Sequence, residues 1–178
     1  MSRVLEAEPA VSSLRRSLAA GTGLVLLGLG LGALAGLVWE SVVDLPTYTV
    51  GPEGRAATSE RGLAGYVGGD AWFSLIGAVV GLVLGLLAWR RFSRSGWPVV
   101  LLAMATAALA ALVCWLVGTS LGPGDFNRRL AEAAPGASVP IELTLRAASS
   151  LLVWPFFAVI PVLLGSSLGP DEEDPRPR

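Results

Sequence analysis

The sequence predicts an all-α membrane protein: four transmembrane helices with a small extracytoplasmic cap of a β-hairpin and one further strand. Three observations lead there. Of 178 residues, 53% are hydrophobic and only 15% charged, with a mean hydropathy of +0.63, whereas a water-soluble domain carries about 25% charged residues. The charges leave four long gaps, Ser17–Trp39, Ala71–Trp89, Ser95–Gly124 and Ala147–Pro170. Each gap holds the roughly 18 to 20 apolar residues needed to cross about 30 Å of hydrocarbon at 1.5 Å per residue. The arginines, finally, crowd one side of these gaps.

Taken in order, residues 1–17 form a cytoplasmic N-terminal segment ending in Arg15 and Arg16, and the first span covers about 18–39. A cleaved signal peptide is the rival for this segment, with 33-ALA-35 as its cleavage site. The apolar stretch is too long for one and continues to Trp39 without a polar region. The spacing i, i+4, i+8 puts Gly28, Gly32 and Gly36 on one helical face. In lipid, helices associate by close packing, and small residues let backbones approach. The string 28-GLGLGA-33 also fits a dinucleotide-binding fingerprint, but that motif needs a strand before it and an accessible helix start after it. Mid-span it predicts no nucleotide.

An external loop follows at about 40–70. Here 46-PTYTV-50 reads as a short strand, 51-GPEG-54 as a turn and 55-RAATSE-60 as a second, weaker strand. The glycine-rich 62-GLAGYVGG-69 leads back to the membrane, and Asp70 opens the second span, about 71–89. Gly77, Gly81 and Gly85 repeat the glycine device, so spans one and two are expected to pack on each other, or on a symmetry mate, along these stripes.

Arg90, Arg91 and Arg94 fill the short second connection. The third span, about 98–118, is alanine-rich and holds the lone Cys114, a small packing residue. The second external loop, about 119–147, offers Asp125 as N-cap of a short helix over 126–134, stopped by 135-PG-136. In 139-VPIELTL-145, Val139, Ile141, Leu143 and Leu145 alternate with polar residues, the cleanest strand signal in the chain. Pro140 places that strand at a sheet edge, pairing with the first loop's hairpin. The fourth span, about 148–168, contains Pro155 and Pro161, each expected to kink it. Residues 169–178 are a cytoplasmic acidic, proline-containing tail.

Arginine placement orients the chain. With both termini inside, Arg3, Arg15, Arg16, Arg90, Arg91, Arg94, Arg176 and Arg178 are cytoplasmic; Arg55, Arg61, Arg128, Arg129 and Arg146 are not. The inner group also lies closest to span ends, where the positive-inside bias acts. The tryptophans agree: Trp39, Trp72, Trp115 and Trp154 fall toward the outer interface and Trp89 and Trp97 toward the inner one, the headgroup levels that indole prefers.

Chemistry is sparse. The chain has no His and one Cys, which removes His/Cys metal sites, His-based triads and internal disulfides. Every basic residue is arginine, so there is no P-loop lysine and no Schiff base; the usage reads as that of a GC-rich genome rather than an arginine-specific role. Glu40, Asp44 and Asp70 could gather at the outer surface, where carboxylates bind cations or relay protons, yet they read as solvated boundary residues. No span carries a charge in its interior, which argues against an ion pump.

The segments 70-DAWFSLIGAVVGLVLGLLAW-89 and 145-LRAASSLLVWPFFAVIPVLL-164 resemble a family of small actinobacterial four-span integral membrane proteins, classed as a domain of unknown function. The resemblance covers roughly residues 20–168 and implies source and topology; it brings no activity or ligand. The expected function is that of a non-enzymatic accessory or scaffold component of the plasma membrane, without cofactor, nucleotide or nucleic acid. Its expected partners are the lipid bilayer and a second copy or another membrane protein. A small transporter or channel subunit would need a polar path, for which the spans offer little beyond Thr22, Ser74, Thr106 and Cys114. A membrane enzyme would have to draw on Glu40, Asp44, Asp70, Asp125, Arg128, Arg129 and Arg146.

Overall fold

A computed structural model describes residues 7–51, 56–57 and 60–168. Four of its helices are long and apolar enough to cross a membrane. They are α1 (Ala7–Val42), α2 (Glu60–Phe92), α3 (Pro98–Leu121) and α5 (Ser150–Leu168), with a short α4 (Phe126–Ala131) before the last. The first two overrun the predicted spans. The glycine-rich stretch 62–69, expected as a loop, is already helical, so Asp70 sits within α2 rather than opening it. Glycine's low intrinsic propensity is weak beside tertiary packing. α5 runs unbroken through Pro155 and Pro161.

α1 packs chiefly on α3 and α2 chiefly on α5, with α3 against α5 and α1 against α2 completing the bundle. Size sorts the side chains. Inward-facing positions of α3 are Val99 near its start and then Ala103, Thr106, Ala107, Ala110, Ala111, Cys114 and Gly118. Leu101, Met104, Leu109, Leu112 and Leu116 on the same helix are exposed. Apolarity therefore runs all round the helix, and small against large replaces apolar against polar as the pattern that separates inside from outside.

At the end of the bundle where α1 and α3 stop lies a three-stranded sheet, β1 (Thr47–Val50), β2 (Ala56–Ala57) and β3 (Ser138–Pro140), in the order β2-β1-β3. β1 pairs antiparallel with β3 through Thr47–Pro140, Tyr48–Val139 and Thr49–Ser138, and with β2 through Thr49–Ala57 and Val50–Ala56. The expected pairing of the two loops is present, with Pro140 on an edge strand. The strand is shorter than the 139–145 expected. Pro140 has no N–H, and after Ile141 donates to the Pro46 carbonyl at 2.9 Å, Pro46 has none to return. The alternation survives the loss of the ladder: Val139, Ile141 and Leu143 are buried while Glu142 is exposed, and Leu143 joins the core of the bundle. The tip of the predicted turn, 52–54, and the tail 169–178 lie outside the described residues.

α4 forms where its sequence suggests but ends at Ala131, short of the 126–134 expected. The Asp125 carboxylate accepts from the Arg128 N–H at 3.2 Å, and Gly136, at φ 87°, turns the chain toward β3. The Arg129 guanidinium donates to the carbonyls of Gly124 and, at 2.9 Å, Pro140, so it covers the outer edge of β3.

Candidate functional site

The features that the sequence marks out are the two glycine stripes and the charges at the sheet end of the bundle. The stripes do not face each other. Gly28, Gly32 and Gly36 lie against Thr106, Ala110 and Cys114 of α3; Gly77, Gly81 and Gly85 lie against Trp154 and Ala158 of α5. This corrects the expectation that spans one and two pack through them. Steps of four along α1 match steps of four along α3, and both numbers rise together, so these two helices run parallel. α2 and α5 do the same. Spans adjacent in sequence must run antiparallel, so in a four-span chain the parallel mate is the next span but one.

The approach is backbone to backbone. A Cβ on Gly32 would overlap the main chain of Ala110, and one on Gly85 would overlap the Ala158 carbonyl. At Gly36 the same atom would stand 2.8 Å from the Cys114 carbonyl oxygen. Real Cβ atoms do not approach that closely, and backbone has little freedom to yield. The glycines off the stripe differ: a Cβ on Gly21, Gly23 or Gly30 would meet nothing within 4 Å.

Tryptophan fills the places where the mate's glycine leaves room. Trp154 seats on Gly77, Trp39 on Gly118 and Trp89 on Gly165. Trp39 and Trp154 are fully buried, so their rings pack inside the bundle instead of facing its surroundings as an interfacial indole would, while Trp72, Trp97 and Trp115 are exposed. Phe73 lies between the buried pair, its ring 5.1 Å from Trp39 and 5.4 Å from Trp154 between centroids. This row crosses α1, α2 and α5, in the spacing range where aromatic contacts add to simple burial. The Trp39 indole also donates to the Gly69 carbonyl at 2.8 Å. Among the described residues, Trp154 Nε1 and Thr106 Oγ1 are buried without a hydrogen-bond partner. We have no physical account of either.

Three charges at the sheet end, Asp70, Asp125 and Arg129, are spent on backbone. Asp70 accepts from the N–H of Arg146 at 3.0 Å and of Ala147 at 2.8 Å. It thereby fixes the segment that enters α5, whose first turn closes with the tight bond from Ser150 N–H to the Ala147 carbonyl. This role was missed. The pattern of an acid ahead of an apolar run marks a helix boundary without saying whose N–H groups it will satisfy. Asp125 and Arg128 form an exposed pair at 3.9 Å, and Arg129 is engaged as described above. Glu40 is half-buried and Asp44 exposed. The described residues hold no group of three or more His, Cys, Asp or Glu arranged for a metal. Comparison with known protein families, curated proteins and solved structures finds no match for this chain.

Proposed function

We propose that this chain is a multi-pass protein of the plasma membrane, both termini cytoplasmic and the sheet extracytoplasmic, acting as a non-enzymatic accessory or scaffold component. The supporting observation is the sorting of side chains by size. Leucine, valine, phenylalanine and methionine cover the outside of the four long helices, while the seams between them are mostly glycine, alanine and cysteine, with Trp39, Phe73, Leu84 and Trp154 as the large buried side chains. In water that exterior is an aggregation surface far larger than the few hundred square ångströms a soluble monomer tolerates. In hydrocarbon it is the ordinary solvent-facing side.

The scaffold reading rests on how the polar side chains are used. Asp70, Asp125 and Arg129 hold the fold's own backbone. The resemblance to small actinobacterial membrane proteins is part of the same proposal and supplies the source. A tag on the C-terminus, mild-detergent extraction and mass spectrometry of the co-purifying proteins test the role. A stoichiometric partner, or a defined homo-oligomer, is expected. Flux of ions or solutes through liposomes containing the purified chain alone would replace the scaffold reading with a transport one.

A further inference from the structure

At the end of the bundle opposite the sheet, two cavities lie side by side, sharing Ser17 and Phe92 as lining. The last turn of α2 and the 3-10 turn Ser93–Ser95 meet Ser17 of α1 around a polar pocket of about 490 Å³. Its lining contains Arg90, Arg91 and Arg94, together with Ser93 and Ser95, and among the described residues no acid. Beside it an apolar groove of about 450 Å³ follows α1, lined by Leu18, Gly21, Thr22 and Val25, with Leu102 of α3 opposite. The Arg91 guanidinium carbon sits 5.6 Å from the centroid of the Phe92 ring, which sets a cation at the junction. Among the described residues, none of the three arginines takes a carboxylate partner.

Gly21, which lines the groove, is one of the α1 glycines that no helix contact requires. Gly28, Gly32 and Gly36 of the same helix are required by contact with α3, but a Cβ at Gly21 would meet nothing within 4 Å. Helix packing does not account for the space it leaves. That space continues the apolar groove away from the arginines.

We propose that the two cavities form one site for an acidic phospholipid, its phosphate held by the arginines and an acyl chain lying along α1 from Ser17 to Val25. The inference rests on the membrane-spanning reading above. Guanidinium groups present forked donors matched to phosphate oxygens, and basic pockets at the cytoplasmic face attract anionic headgroups. The chemistry also selects among lipids. A choline headgroup brings a second, positive charge, and among the described residues the pocket offers no carboxylate to receive it.

The test uses the full chain purified in mild detergent, exposed to mixed micelles of phosphatidylglycerol and phosphatidylcholine, with bound lipid read by native mass spectrometry. Phosphatidylglycerol is expected to be retained preferentially. Replacing Arg90, Arg91 and Arg94 together by Ala should weaken its retention on the order of a hundredfold, from about fivefold per arginine near an anionic headgroup. Gly21→Phe fills the groove and leaves every arginine in place; it should cost roughly tenfold, the equivalent of about two buried methylenes. Gly30→Phe, also in open space but away from the groove, should change nothing, and circular dichroism checks that each variant keeps its helices.

Unchanged retention in the triple variant overturns the proposal. So does a triple variant that loses binding while Gly21→Phe keeps it, since the pocket then takes only a headgroup or free anion. Preferential retention that arises only after truncation at Leu168 also overturns it, because the acidic 171–174 tail then fills the pocket in the full chain. A chain that stays monodisperse without any amphiphile defeats the membrane reading itself, a separate result.

Discussion

The Asp70 carboxylate accepts a 2.8 Å hydrogen bond from the backbone N–H of Ala147, a residue 77 positions further along the chain. One side chain of α2 thus fixes where α5 begins, and with it how the connection from α3 to α5 joins the bundle. The same carboxylate holds Arg146 N–H at 3.0 Å.

Asp70→Ala is expected to cost about 1.5 kcal/mol, the low end for hydrogen bonds to a charged acceptor, because water reaches this site and replaces part of what is lost. The effect should be local. Hydrogen exchange should quicken at the amides of Arg146 and Ala147 while the centres of α2 and α5 stay protected. An unchanged exchange rate at both amides would remove Asp70 from this role.

Gly85 and Gly32 should be the least replaceable glycines. Gly85→Val and Gly32→Val push a side chain into the backbone of Ala158 and Ala110. Overpacking of this kind costs about 1–3 kcal/mol or more where the partner cannot yield. Thermal unfolding in detergent should show both variants clearly destabilised. Gly23→Val and Gly30→Val, in open space, should unfold within a few degrees of the parent. Equal effects at all four positions would mean the seams are not where they are drawn.

Trp39 separates burial from hydrogen bonding. Trp39→Phe keeps an aromatic ring against Phe73 and gives up the bond to the Gly69 carbonyl, so a loss of about 1 kcal/mol is expected. Trp39→Ala also empties the space over Gly118 and should cost about 3–5 kcal/mol. Chemical unfolding followed by the remaining tryptophans measures the difference; equal losses in the two variants would contradict the fully buried position.

The existence and order of the four helices could be read from the gaps between charges, because a charge inside hydrocarbon is costly and therefore rare. The partner of each helix could not. A stripe such as Gly77, Gly81 and Gly85 shows which face packs and leaves open what it packs on, and sequence neighbours were the wrong guess. The complementary stripe was in view at Thr106, Ala110, Cys114 and Gly118, spaced by four, but it hides among the alanines of α3. The burial of Trp39 and Trp154 could not be read for a related reason. An indole near a span end satisfies its N–H equally well at a headgroup or at a carbonyl in a neighbouring helix, and only the packing decides. The pairing of β1 with β3 was legible because 139–145 alternates so clearly. Its early end at Pro140 follows from two prolines whose opposition could not be known before the register was.

The central claim is a four-pass chain whose arginine end is cytoplasmic and whose sheet is outside. It is tested most directly by cysteine labelling in intact cells of a Cys114→Ala background, comparing Asn127→Cys in α4 with Ser93→Cys between α2 and α3. A membrane-impermeant maleimide should label Asn127→Cys in intact cells and Ser93→Cys only after lysis. Labelling of Ser93→Cys in intact cells, with Asn127→Cys protected until lysis, would contradict the account.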